Sequence, residues 1–294
     1  MATKAKAAVG DGGSNATKIG PTFFAALALG VVGSYFSFIG PSAGRVQKAV
    51  MAPDGVTPSE STDNFIFVCA CVGLCGAFDL LIARHFGAGR YFALHTAINT
   101  VVICFSWRDA ISTLGFANPF DTNSCVLAGT PCANKLSMDL TMGIHLWHSL
   151  AYALKPIDWI HHLPAHLVCT IGITLAWGPV LNLSTIVLMG IPGGIDYALL
   201  TLTKLGMLHP RVEKDINQTL NVWLRCPVAQ LTAYLMFFGA ILHPEHFAGP
   251  GHRFGHALIG VHHFWNGGFF MYRTVDARTR FVLKEKEKAA ANGK

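Results

Sequence analysis

Apolar residues run along this chain in long blocks separated by short polar segments. A bilayer crossing takes about 20 mostly apolar residues, and eight blocks approach that length. They lie at 19–39, 64–83, 91–107, 138–154, 163–177, 180–202, 222–242 and 255–272. The sixth is interrupted by Ile191-Pro192-Gly193-Gly194. Broken backbone at membrane depth survives only inside protein or beside a cavity. The break therefore predicts a cavity, with a plain loop between two shorter helices as the other reading. Gly178-Pro179 predicts a tight hairpin between blocks five and six. Pro164 fits only in a first helical turn, so a helix is expected to begin near His162 or Leu163.

An even number of crossings puts both termini on one side. On that topology one side collects 17 of the 22 Lys and Arg residues and the other side five. Excess Lys and Arg mark the cytosolic face, so both ends are expected there. Composition agrees with a membrane protein: 52% of residues are hydrophobic and only 13% charged, against about 25% charged in a soluble domain. The net charge of +6 then reports topology and some affinity for anionic headgroups, and nucleic acid is not expected as a partner. Residues 1–18 read as a disordered cytosolic tail. Block 19–39 reads as a retained anchor, since it is long and lacks a clear cleavage site. Residues 60–276 form the main transmembrane domain, and 277–294 a charged cytosolic tail. The expected fold is all-α and multi-pass, with about eight transmembrane helices.

Of eight cysteines, most lie within the blocks and read as small apolar residues. Cys125 and Cys132 share the one long loop on the non-cytosolic side, where a disulfide and free thiols are both open readings. Asn15, Asn182 and Asn217 sit in glycosylation sequons, but at cytosolic or membrane-depth positions. Phosphate loops, zinc spacings and nucleophile elbows are absent from the sequence.

Ionisable residues inside a crossing are functional candidates. Asp79, Asp139 and Asp196 fall inside blocks, and Asp158 lies at an edge. Asp158, His162 and His166 are spaced four apart and would share a helical face, with His161 beside them. At a helix N-terminus an imidazole is held neutral and serves as a base. Six histidines between His243 and His263 raise a rival chemistry, since membrane di-iron hydroxylases gather histidines. His252-x3-His256 fits one of their spacings, and no segment fits the usual His-x2-His-His. No metal ligand set is assigned.

The order Asp139, Lys155-Pro-Ile-Asp158, His161-His162, Asn182, Gly-Ile-Asp196-Tyr-Ala-Leu-Leu, Lys204 and His262-His263-Phe-Trp265-Asn266 resembles the TLC-domain superfamily, which includes the ceramide synthases. The resemblance covers roughly 64–276 and is most specific from His161 to Lys204. It implies six helices in a TLC-type barrel, an endoplasmic reticulum location, and transfer of a fatty acyl group from acyl-CoA to a lipid amine or hydroxyl. It implies catalytic roles for His161, His162 and Asp196, with Asp139 as a second carboxylate. Lys204, Asn182, Trp265 and Asn266 are implied to bind substrate, and the basic residues Arg211, Lys214 and Arg225 to hold acyl-CoA phosphates. No cofactor is implied beyond acyl-CoA as co-substrate. Expected partners are membrane lipid and a second copy or a membrane complex. The synthase signature is incomplete: its first Asp falls on Gly193, its Glu on Leu200, and its Lys on Thr203, one residue before Lys204. A lipid-binding, cargo-receptor or structural TLC protein without chemistry is therefore the alternative, and a di-iron lipid hydroxylase the second alternative.

Overall fold

The computed structural model describes residues 61–115, 136–174, 180–246 and 250–292. The anchor block 19–39, Asn15, Cys125, Cys132 and the Gly178-Pro179 hairpin lie outside the described residues. Every regular element among the described residues is helical.

Helix α1 covers Ser61–Leu81 and is followed by a 3-10 segment, Ala83–Gly89, that turns the chain into α2, Arg90–Gly115. Gly87 there adopts φ 51°, a left-handed conformation that a side chain disfavours. Helix α3 is Leu136–Ala151 and α4 is Pro156–Thr174. Helix α5, Val180–Thr185, passes through a π-type turn, Ile186–Gly190, into α6, Ile191–Lys204. Helix α7, Pro210–Leu220, does the same through a second π-type turn, Asn221–Arg225, into α8, Cys226–Leu242. A short turn leads to α9, Pro250–Asn292, which is 43 residues long.

Two continuous segments, Val180–Lys204 and Pro210–Leu242, are long and apolar enough to cross a membrane, and α1 with α2 makes a third if that pair, bent by 72°, is one crossing. Leu81, Leu163, Trp223, Phe254 and Phe264 are each more than half exposed. A soluble monomer does not leave so many large apolar side chains uncovered, whereas lipid tails cover them.

Three expectations change. Helix α4 begins at Pro156, not near His162, and carries Pro164 in its interior, so His161 and His162 sit one turn and more inside it rather than at its N-terminus. The Ile191-Pro192-Gly193-Gly194 break is not a loop, although Pro192 and Gly193 do line a cavity, as expected of it. The π-type turn just before it lets the helix continue, and Pro192 occupies the first turn beyond, where its missing N–H costs nothing. The charged C-terminal segment continues α9 as helix to Asn292.

Packing is organised around three apolar clusters. Cys71, Cys75, Leu94, Ile98, Leu140, Ile144 and Trp147 join α1, α2 and α3. Val68, Met138, Val168, Leu181, Met236 and Ile259 tie α1 and α3 to α4, α5, α8 and α9. Leu183, Ile186 and Val187 pack α5 and the first π-type turn against Ala110 of α2. Between apolar helices in lipid, association rests on close packing and polar contacts, and both are present. A Cβ at Gly143 would stand 2.7 Å from Cys71 Cβ, so α1 and α3 meet through a glycine. Asp79 of α1, fully buried, accepts from Arg90 Nε at 2.7 Å and Nη2 at 2.8 Å, from Tyr152 Oη at 2.8 Å and from Trp147 Nε1 at 3.1 Å. This buried carboxylate is thus a structural joint between α1, α2 and the end of α3.

Candidate functional site

A cavity of about 140 Å³ opens among α2, α3, α4, the α5–α6 and α7–α8 segments and α9. That compares with an engineered void of ~150 Å³ that takes up benzene, so it fits a headgroup or a short stretch of chain rather than a whole lipid. Its apolar wall includes Met138, Ala165, Val168, Leu188 and Phe270. Its polar wall includes His95, Asn99, His145, His161, Ser184, Asp196, Asn221, Arg225, His262, His263 and Asn266. Both π-type turns border it: Asp196 lies just beyond the first and Arg225 ends the second. Such turns are over-represented at functional sites, because the extra residue re-aims the helix beyond it.

Four cavity-lining imidazoles differ in their bonding: His95 and His262 have neither nitrogen hydrogen-bonded, whereas His145 and His161 lie against each other. His145 Nδ1 donates to the Thr141 carbonyl at 2.7 Å, which leaves Nε2 as its acceptor. His161 Nε2 stands 3.5 Å from that atom and is its donor. The lone pair of neutral His161 is then on Nδ1, which is buried with no protein partner. His161 is a cavity-lining base with one nitrogen tethered and the other available. A second oriented pair faces the same space. His263 Nδ1 donates to the Ile259 carbonyl at 2.6 Å, and Ser184 Oγ hydrogen-bonds His263 Nε2.

The sequence-derived candidates divide. His161, Asp196 and Asn266 line the cavity together. His162 is 3% exposed but does not line it. Its ring packs 5.0 Å from His145, 6.0 Å from His148 and 6.0 Å from His166, between α3 and α4. The tandem pair is therefore split, as neighbours on a helix point about 100° apart. Asp139, in the first turn of α3, is buried away from the cavity lining. Asn182 is fully buried and joins helices, hydrogen-bonding Ser137 Oγ and donating to Asp109 Oδ2 at 2.5 Å. Lys204 lies in the last turn of α6, and Trp265 stacks on Phe269 at 5.0 Å, outside the cavity. Arg211 pairs with Asp215 at 3.0 Å and Glu285 at 3.1 Å, and Lys214 with Glu213 at 3.3 Å. Neither lines the cavity.

Sequence reasoning did not single out His95, Asn99, Ser184, Tyr197 or Asn221 as site residues, and it placed Arg225 in a cytosolic loop. The guanidinium of Arg225 instead stacks over Phe270, 4.0 Å from the ring centre, and donates to Asn266 Oδ1 at 3.4 Å. The available signal was polar side chains inside apolar blocks, Asn99 and Ser184 above all. Among the described residues no group of three or more His, Cys, Asp or Glu is arranged to hold a metal ion. Comparison of the chain with protein-family models, with curated proteins and with solved structures gave no match.

Proposed function

We propose that this is a TLC-type integral membrane protein of lipid metabolism whose cavity moves a fatty acyl group from acyl-CoA to a lipid amine or hydroxyl. The observation that carries the reading is that His161 and Asp196, from separate helices, line one cavity. Nδ1 of His161 takes the proton of the attacking amine or hydroxyl as it adds to the thioester carbonyl. The thiol leaves with a proton returned by the imidazolium. Asp196 is the carboxylate assigned to the same cavity, and donors such as Asn99 Nδ2 are on hand for the developing oxyanion. The proposal includes about eight crossings, six of them in a barrel, with cytosolic termini and residence in the endoplasmic reticulum.

The second reading is a TLC protein that binds lipid without chemistry. It is favoured by Gly193 in place of the synthase Asp and by the burial of His162 away from the cavity. A di-iron hydroxylase has no ligand set among the described residues to support it. The discriminating experiment is lipid mass spectrometry of cells expressing wild type, His161→Ala or His162→Ala at matched protein levels. Acyl transfer predicts a product present with wild type and lowered about 100-fold, the scale of general-base catalysis, in His161→Ala. His162→Ala should retain most of the product. Identical lipid profiles for all three and for empty cells would leave only the non-catalytic reading.

A further inference from the structure

The cavity lining holds a carboxyl group and a guanidinium that attract each other across it without touching. Asp196 and Arg225 both line it, and among the described residues no ion pair joins them. Asp196 Oδ1 is buried without a hydrogen-bond partner, and so is Arg225 Nε. Arg225 has a 3.4 Å bond to an amide oxygen, the face of Phe270 and the longer-range attraction of Asp196 against its charge. Beside them Asn221, 3% exposed, donates to Asn217 but leaves its own Oδ1 unmet.

Both side chains are half-buried, and burying atoms of a charged group without a contacting partner carries a desolvation cost, which a bound group offsets. What would satisfy both is a molecule with one charge of each sign. Ligands carrying a single charge satisfy one group and leave the other bare. Arg225 offers a planar fork suited to phosphate or carboxylate oxygens. Asp196 and Asn221 Oδ1 offer acceptors for an ammonium, and the apolar wall takes the start of a chain.

We infer that the cavity binds a zwitterionic amphiphile headgroup, with its anionic oxygens on Arg225 and its ammonium on Asp196. The inference rests on the lipid reading of the cavity but needs no turnover. Phosphate and carboxylate share the chemistry Arg225 recognises, and the probes below separate them.

The test is binding to the purified full-length protein in detergent, read by tryptophan fluorescence or calorimetry. The probes are lysophosphatidylethanolamine, 2-aminohexadecanoic acid, lysophosphatidic acid and hexadecylamine. At least one of the two zwitterions should bind ten-fold or more tighter than both singly charged amphiphiles, and the tighter zwitterion identifies the anion. Arg225→Gln should erase the advantage over hexadecylamine, and Asp196→Asn the advantage over lysophosphatidic acid. Far-UV circular dichroism and thermal melting check that each variant is folded. Should a variant fail to fold, the wild-type ranking of the four probes decides alone. Equal affinity for all four probes, or the ten-fold advantage surviving in a folded Arg225→Gln, overturns the inference. That result leaves acyl transfer standing, since the lipid profile of His161→Ala tests it separately.

Discussion

Neutralising Asp79 gives the sharpest test of how the helices are joined. Asp79→Asn removes the charge with almost no change in volume, so no void complicates the result. Arg90 then loses a bidentate partner held at 2.7 and 2.8 Å. Removing one member of a buried ion pair costs about 3–5 kcal/mol. The Arg90 side chain is 23% exposed and regains some hydration, which points to the low end, about 3 kcal/mol. That is about two decades in the folding equilibrium. Tyr152→Phe removes one neutral donor to a charged acceptor and leaves three other bonds to Asp79, so about 1.5 kcal/mol is expected. Arg90→Gln should cost as much as Asp79→Asn. The double variant, with two amides facing each other, should cost well below the sum, because no lone charge remains. Unfolding by SDS titration in bicelles, followed by circular dichroism, measures all four. Asp79→Asn within about 0.5 kcal/mol of wild type, the range of an uninvolved surface site, refutes the argument. A strictly additive double variant does so as well.

Two further outcomes follow from packing and surface charge. Gly143→Ala places a Cβ 2.7 Å from Cys71 Cβ and 2.9 Å from its carbonyl carbon, and backbone cannot swing aside, so overpacking should cost about 1–3 kcal/mol in the same titration, with Gly268→Ala, where nothing lies within 4 Å, as the neutral control. Arg278→Ala breaks a 2.6 Å pair with the half-exposed Asp215, and should lower stability by less than about 1 kcal/mol, a difference that thermal melts at low salt resolve and that about 1 M salt removes.

Much of the helical layout was legible because hydropathy periodicity reports burial and lipid contact directly. The blocks at 64–83, 91–107 and 222–242 fall on α1, α2 and α8 to within a few residues, apart from a longer C-terminal end of α2. What was not legible depends on helix phase. A π-type turn adds one residue to a coil without any residue type that marks it, so Pro192-Gly193-Gly194 read as a break when it is a continued helix. The start of α4 was misplaced because proline was allowed only one position, whereas a helix packed on its neighbours carries Pro164 in its interior. Part of the cavity was visible as charges and histidines in apolar blocks, and His161 and Asp196 do line it. Arg225 was not, since a cation at the edge of a block looks the same whether it faces water or turns inward over a phenyl ring. His162 shows the converse. Adjacency in sequence made it a partner of His161, while helical rotation sent it to a different neighbour.

The widened turns at Ile186–Gly190 and Asn221–Arg225 lie inside the two continuous segments long and apolar enough to cross a membrane. Each residue of regular α-helix contributes about 100° of rotation, whereas a π-type turn takes up one extra residue locally. Losing a single codon from either turn would therefore close it to plain α-helix and leave the downstream half in phase. The same loss from the regular helix of Ile191–Lys204, ahead of Asp196, would turn Asp196 and Tyr197 away from the cavity, although neither had been altered.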